Sequence, residues 1–180
     1  ILSNTLADVY ATAQETNADL VTFQYQKVAQ ETDIREVNHV GAPRICSGDE
    51  ALQLFLKEQL LGVSIWGKFI HRSNIETITF EAGRTTHEDK YFLFEVLCRA
   101  KKVAILNEQY YCYWTRANSI TTKPFSQRWF DEYYFAEKIY SVICSHKPEF
   151  EAEARYQVLS VCYFLIRYMD QLKVSQQFSR

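Results

Sequence analysis

No stretch of the chain approaches the roughly 18 apolar residues needed to span a bilayer, and no signal-peptide pattern is visible. The expectation is a soluble, cytoplasmic protein, with peripheral contact at the inner face of a membrane left open. Charge is not blocked either. Twenty basic and 22 acidic side chains are interspersed and leave a formal net charge of −2, which argues against a nucleic-acid-binding arm or a polybasic membrane patch. The five cysteines are odd in number and form no CxxC pair, so buried, reduced thiols fit better than a disulfide framework. GxSxG, HExxH, P-loop and GxGxxG motifs are all missing, which excludes a self-contained nucleotide site of a familiar kind. His39, Cys46, His71, His87 and His146 are scattered, and Cys144-x-His146 is too short for a zinc set.

What is present suits a folded domain. At 180 residues and 47% hydrophobic content the chain can fill a core. Twelve Tyr and 12 Phe either complete that core or offer surfaces to ring-shaped, amphipathic ligands.

Helical spacing of Leu2, Leu6, Val9, Tyr10 and Ala13, stopped by Asn17, predicts an opening helix, and the alternation of Val21, Phe23 and Tyr25 predicts a strand. Residues 29–46 read as a loop or weak hairpin. Ser47 and Glu50 form a capping box for a helix that buries Leu52, Phe55, Leu56 and Leu60 and closes at Gly62. "VSIWGKFIHRSNI" is ambiguous between strand and helical turn. Thr86 is the expected N-cap of a helix over 88–101, and "KVAIL" and "QYYCYWT" read as strands. Two further helices follow, bounded by Pro124 and Pro148, which predicts an antiparallel helical hairpin after a domain boundary near 122–124. The pattern over 1–16 starts in the middle of an amphipathic repeat, so the chain is expected to be part of something longer.

The stretch "THEDKYF" concentrates the chemistry. Glu88 and Asp89 at a helix start complement the helix dipole, or one of them serves as a general base, its carboxylate kept ionised at the helix N-terminus. An E-x-K metal-nuclease reading needs Glu88 and Lys90 on one face of a strand, whereas the pattern here is helical. "YYCYWTRANSIT" joins an aromatic strand to Arg116, Asn118 and Ser119 in an expected turn.

The order of "NADLV", a Trp66-x-Lys68-x-x-x-Arg72 segment, the Glu88-Asp89 pair and Tyr111-x-Tyr113-x-x-Arg116-x-x-Ser119-Ile120-Thr121 resembles the second half of bacterial family 2 glycosyltransferases of the GT-A fold. The spacing in the Trp66 segment is one residue longer than the family's W-x-K-x-x-R. The resemblance implies a mixed α/β (α+β) fold, with 1–122 as the acceptor-side half of the transferase domain and 123–180 as a helical extension. It implies that Asp89 is the base toward the acceptor hydroxyl with Glu88 as its partner, and that Trp66, His87, Arg116 and Ser119 contact substrate. The donor would be a nucleotide diphosphate sugar and the acceptor a saccharide or other hydroxyl compound. A divalent metal, Mg²⁺ or Mn²⁺, is expected in the full-length enzyme with ligands outside this chain, because no DXD-type motif is present: Asp8 and Asp19 each stand alone. Homo-oligomerisation stays open. The competing class is a non-catalytic binding module in which "HED" only caps a helix and the aromatic helices dock on a partner.

Overall fold

The computed structural model describes residues 1–37, 40–115 and 126–171. Its contacts group the chain into two compact units, Ile1–Thr79 with Phe92–Lys123, and Phe80–Tyr91 with Pro124–Arg180.

The first unit opens with α1 (Thr5–Thr16), ended by Asn17 in the left-handed conformation at φ 52°. Asparagine tolerates that geometry, and its amide satisfies carbonyls of the last turn. The following apolar run is not one alternating strand. It divides into β1 (Leu20–Thr22) and β2 (Tyr25–Val28), which enter different sheets. β1 has a hydrogen-bonded strand on each side, so Leu20, Val21 and Thr22 are all buried and the period of two disappears.

The main sheet has the order β3-β5-β1-β4, with β3 at Arg44–Ser47, β4 at Lys68–Ile70 and β5 at Lys102–Ile105. β1 and β5 run parallel, with Val21 opposite Ala104, while both edge strands are antiparallel to their neighbours. β3 corrects the expectation of a loop through residue 46. "VSIWGKFIHRSNI" supplies both of its readings, β4 and then a short 3-10 turn over Arg72–Asn74. The second sheet is a parallel pair of β2 with β6 (Tyr111–Trp114).

Ser47 and Glu50 do form the capping box at α2 (Gly48–Leu56). The helix stops six residues before Gly62, with Lys57 as its C-cap, and Leu60 is exposed rather than part of the buried face. α3 spans Glu88–Arg99, and its residues Leu93, Phe94, Val96 and Leu97 are buried. One core cluster joins Leu2, Val9, Val21, Phe23, Ala104, Leu106 and Tyr110. None of the five cysteines is in a disulfide among the described residues.

In the second unit, α4 (Phe130–His146) and α5 (Glu151–Gln171) lie antiparallel, joined by a 3-10 turn over Pro148–Phe150. The register follows from their contacts: Trp129 packs with Phe164 and Tyr168, Ala136 with Val161 and Leu165, and Tyr140 reaches Glu151. On α4 the buried apolar positions are Phe135, Ala136, Ile139 and Ile143, whereas Tyr133 and Tyr140, and Trp129 just before the helix, are half-buried. No helix among the described residues is long and apolar enough to cross a membrane.

Candidate functional site

Glu88 and Asp89 occupy the first turn of α3, and the segment that delivers them is bonded along its length to α4. Glu81 accepts hydrogen bonds from the Tyr134 hydroxyl at 2.6 Å and from Lys138 Nζ at 2.7 Å. Gly83, at φ +83°, lets the chain turn where a side chain would be strained. Arg84 Nη1 then donates to Asp131 Oδ1 at 2.6 Å, and its guanidinium lies 3.8 Å from the centre of the Tyr134 ring. The Thr85 amide donates to Asp131 Oδ2 at 3.3 Å. Thr86 Oγ1 donates to the Arg128 carbonyl at 2.8 Å, and His87 Nε2 stands 3.6 Å from Glu132 Oε1.

Thr86 is not the N-cap, because α3 starts at Glu88 and the residue directly before it is His87, in the left-handed region at φ 62°. Such a conformation costs a non-glycine residue of order 1–3 kcal/mol and persists where the surroundings over-determine it. His87 Nδ1 is buried and finds no hydrogen-bond partner among the described residues. Asp89 is half-buried, and its Oδ1 accepts the Lys90 amide at 2.8 Å. Lys90 itself is buried.

The electrostatics of the strap are those of matched pairs. The Lys138 hydrogen bond, with that of Tyr134, holds the Glu81 carboxyl below the usual glutamate range. The same contact raises the Tyr134 hydroxyl. The hydrogen bond to Asp131 raises Arg84 above its ordinary value. Lys138 also lies 4.3 Å from the centre of the Tyr91 ring, which stacks on Phe135.

Trp66 belongs to the first unit and lies on the β2–β6 ribbon. It stacks on Tyr111 with ring centres 4.6 Å apart and meets Tyr25 edge-on at 5.0 Å, with Tyr113 at 5.6 Å. Tyr25 and Tyr111 are paired across the ribbon, so strand register places these rings on one face. Lys68 stands opposite Thr22 in β4. Arg72 is largely exposed and pairs with Glu76 at 3.7 Å.

Of the residues singled out in the sequence, His87, Glu88 and Asp89 come together at one helix start, and Trp66 gathers a set of tyrosines. Arg116 and Ser119 lie outside the described residues. The sequence reading missed Glu81, Arg84, Asp131, Tyr134 and Lys138. Their only signal was the spacing of Asp131, Tyr134 and Lys138 along one side of α4, which does not name the partner they bind. Among the described residues no three His, Cys, Asp or Glu side chains gather as metal ligands.

No protein-family model and no characterised protein sequence matches the chain. Its structure is similar to that of S. aureus TarS, a glycosyltransferase. TarS 1–349 in complex with UDP-GlcNAc aligns at a TM-score of 0.63 and 18% identity, over 93% of this chain and 45% of that one. A second structure of TarS 1–349 gives 0.59 at 18% identity, over 87% and 43%, and a TarS structure of greater length gives 0.54 at 17% identity, over 88% and 25%. The chain thus spans less than half the length of each of these structures. At such identities the likeness is one of fold: the chain has a mixed α/β fold similar to that of TarS.

Proposed function

We propose that these residues are the acceptor-side half of an inverting family 2 glycosyltransferase of the GT-A type, with residues 1–122 in the transferase domain and 123–180 as its helical extension. The parent enzyme moves a sugar, of hexosyl type, from a nucleotide diphosphate sugar to a hydroxyl acceptor in polysaccharide or glycoconjugate synthesis. Asp89 takes the proton of the acceptor hydroxyl as that oxygen attacks the anomeric carbon in line with the departing diphosphate. Glu88 is its partner in the pair. His87, Trp66, Arg116 and Ser119 contact substrate. The donor half, and any divalent metal that neutralises the diphosphate, belong in this reading to residues outside the chain.

The observation that carries the proposal is the acidic pair itself. It is delivered at a helix start by a left-handed residue and a strap of hydrogen bonds, within a fold similar to that of a protein that binds UDP-GlcNAc. Helix punctuation alone needs neither the strain nor the strap. Positioning of the hydroxyl and charge stabilisation supply most of the rate in such a displacement.

The test is Asp89→Asn in the longer enzyme, with donor binding and turnover measured separately. Donor affinity should hold while turnover falls about 10²- to 10⁴-fold, the usual range for a general base. Unchanged turnover would leave "HED" as a helix start and favour the binding-module reading. That second reading has its own support, because Tyr156, Leu159, Tyr163 and Ile166 form an exposed stripe along α5 at helical spacing.

A further inference from the structure

Asp131 is buried, with its side chain only 8% exposed, yet both of its carboxylate oxygens are used on a segment 46 and 47 residues earlier in the chain. Oδ1 takes the Arg84 guanidinium and Oδ2 the Thr85 amide, so one side chain fixes a side chain and the adjacent backbone together. An ion pair with only one partner buried adds little net stability, because desolvation of that partner offsets the attraction. It does impose one geometry. Arg84 is held further by the Tyr134 ring beneath it and by Glu81 at 3.9 Å, and Glu81 is itself held by Tyr134 and Lys138.

The strap has a direction. It begins at Glu81, is fixed most firmly at Arg84 and Thr85, and ends at His87, whose strained backbone immediately precedes the acidic pair. A left-handed histidine is retained only where neighbouring bonds prevent relaxation. Here Thr86 is tied to Arg128 and His87 faces Glu132, on either side of Asp131 along the start of α4. Freed from Asp131, the segment has a lower-energy backbone available, and the first turn of α3 would move with it. A displacement of about 1 Å at a reacting group can cost 10²-fold in rate.

We propose that Asp131 is a positioning residue that sets the orientation of the Asp89 carboxylate through Arg84 and Thr85; this rests on the reading of Asp89 as the base. Asp131 touches no reacting atom. Its effect belongs to the catalytic step and not to donor affinity.

The experiment compares Asp131→Asn, Asp131→Glu, Arg84→Gln and Asp89→Asn in the longer enzyme, with kcat, donor KM and Tm measured for each. Asp131→Asn should lower kcat by about 10- to 100-fold with donor KM unchanged. Asp131→Glu should recover part of the loss, and the double variant with Arg84→Gln should lose no more than the worse single one, because both break the same tie. Loss from Asp89→Asn with wild-type kcat in Asp131→Asn would overturn the positioning role while leaving the base in place. A lower yield or Tm with full kcat per folded molecule would also overturn it, since that is a stability role alone. No loss from Asp89→Asn would remove the base reading and this inference with it. Should Asp131→Asn fail to fold, Arg84→Gln decides: the same kcat loss supports the proposal, and wild-type kcat refutes it.

Discussion

The hydroxyl of Tyr110 donates to the Asp8 carboxylate at 2.8 Å, joining residues 102 positions apart in the chain. Tyr110 is fully buried, and the same carboxylate oxygen accepts from Asn4 Nδ2 at 2.7 Å. Burial, followed by the bond to Asp8, raises the tyrosine hydroxyl well above its ordinary range. Asp8, which the sequence offered as a lone acid on a helix, thus fastens α1 to the segment leading into β6.

Tyr110→Phe should therefore destabilise the first unit by about 1–3 kcal/mol, the range for a buried hydrogen bond to a charged acceptor. Chemical denaturation of wild type and variant with an unchanged m-value checks this. Equal stability would mean that water replaces the hydroxyl at no cost.

Gly48 should tolerate no side chain. A Cβ there would lie 1.8 Å from the Ala100 carbonyl oxygen, and the Gly48 amide already donates to the Lys101 carbonyl at 3.0 Å. Both neighbours are backbone, so the start of α2 would have to move from the turn that joins α3 to β5. Gly48→Ala should cost at least about 1–3 kcal/mol, as overpacking does, read as a fall in Tm.

Glu81 predicts a pH effect with a definite sign. Its folded carboxyl titrates below the unfolded one, so the stability it contributes is complete above the ordinary glutamate range and is lost as pH falls through its lowered folded value. A Tm series from pH 7 down to 3 should fall more steeply for wild type than for Glu81→Gln in that acid window. Parallel curves would show that Lys138 and Tyr134 do not depend on its charge.

The helical hairpin offers a packing test. Val161 is 6% exposed and meets Ala136 and Leu165. Val161→Asp buries an unpaired charge, which costs several kcal/mol, so α4 and α5 should lose protection from proteolysis. An unchanged Tm would refute the register assigned to them.

These cases show where the sequence was legible. The capping box of Ser47 and Glu50, the stop at Asn17 and the span of α3 are local, and each follows from residues within one turn of the boundary. "VTFQY" misled because alternation predicts one half-buried strand, whereas Val21 pairs on both sides and Tyr25 crosses to another sheet. Thr86 misled because the helix begins one position later than its capping pattern implies: His87, in the left-handed region, directly precedes α3, and the Thr86 hydroxyl donates to the distant Arg128 carbonyl. In the candidate site, Glu88 and Asp89 were visible as an acidic pair at a helix start, while Asp131 was one acid among 22 until the fold brought it to Arg84.

The parallel pairing of β2 with β6 has a consequence for the newborn chain. The Thr115 amide closes this ribbon on the Val28 carbonyl, and the same two residues are 87 positions apart. A ribosome releasing roughly 5–20 residues each second would leave Tyr25 and Val28 without a strand partner for several seconds. Chaperones that shield extended segments should therefore be needed most before Trp114 emerges. Replacing Tyr25 and Val28 by polar residues should relieve that need, at the expense of the ribbon itself.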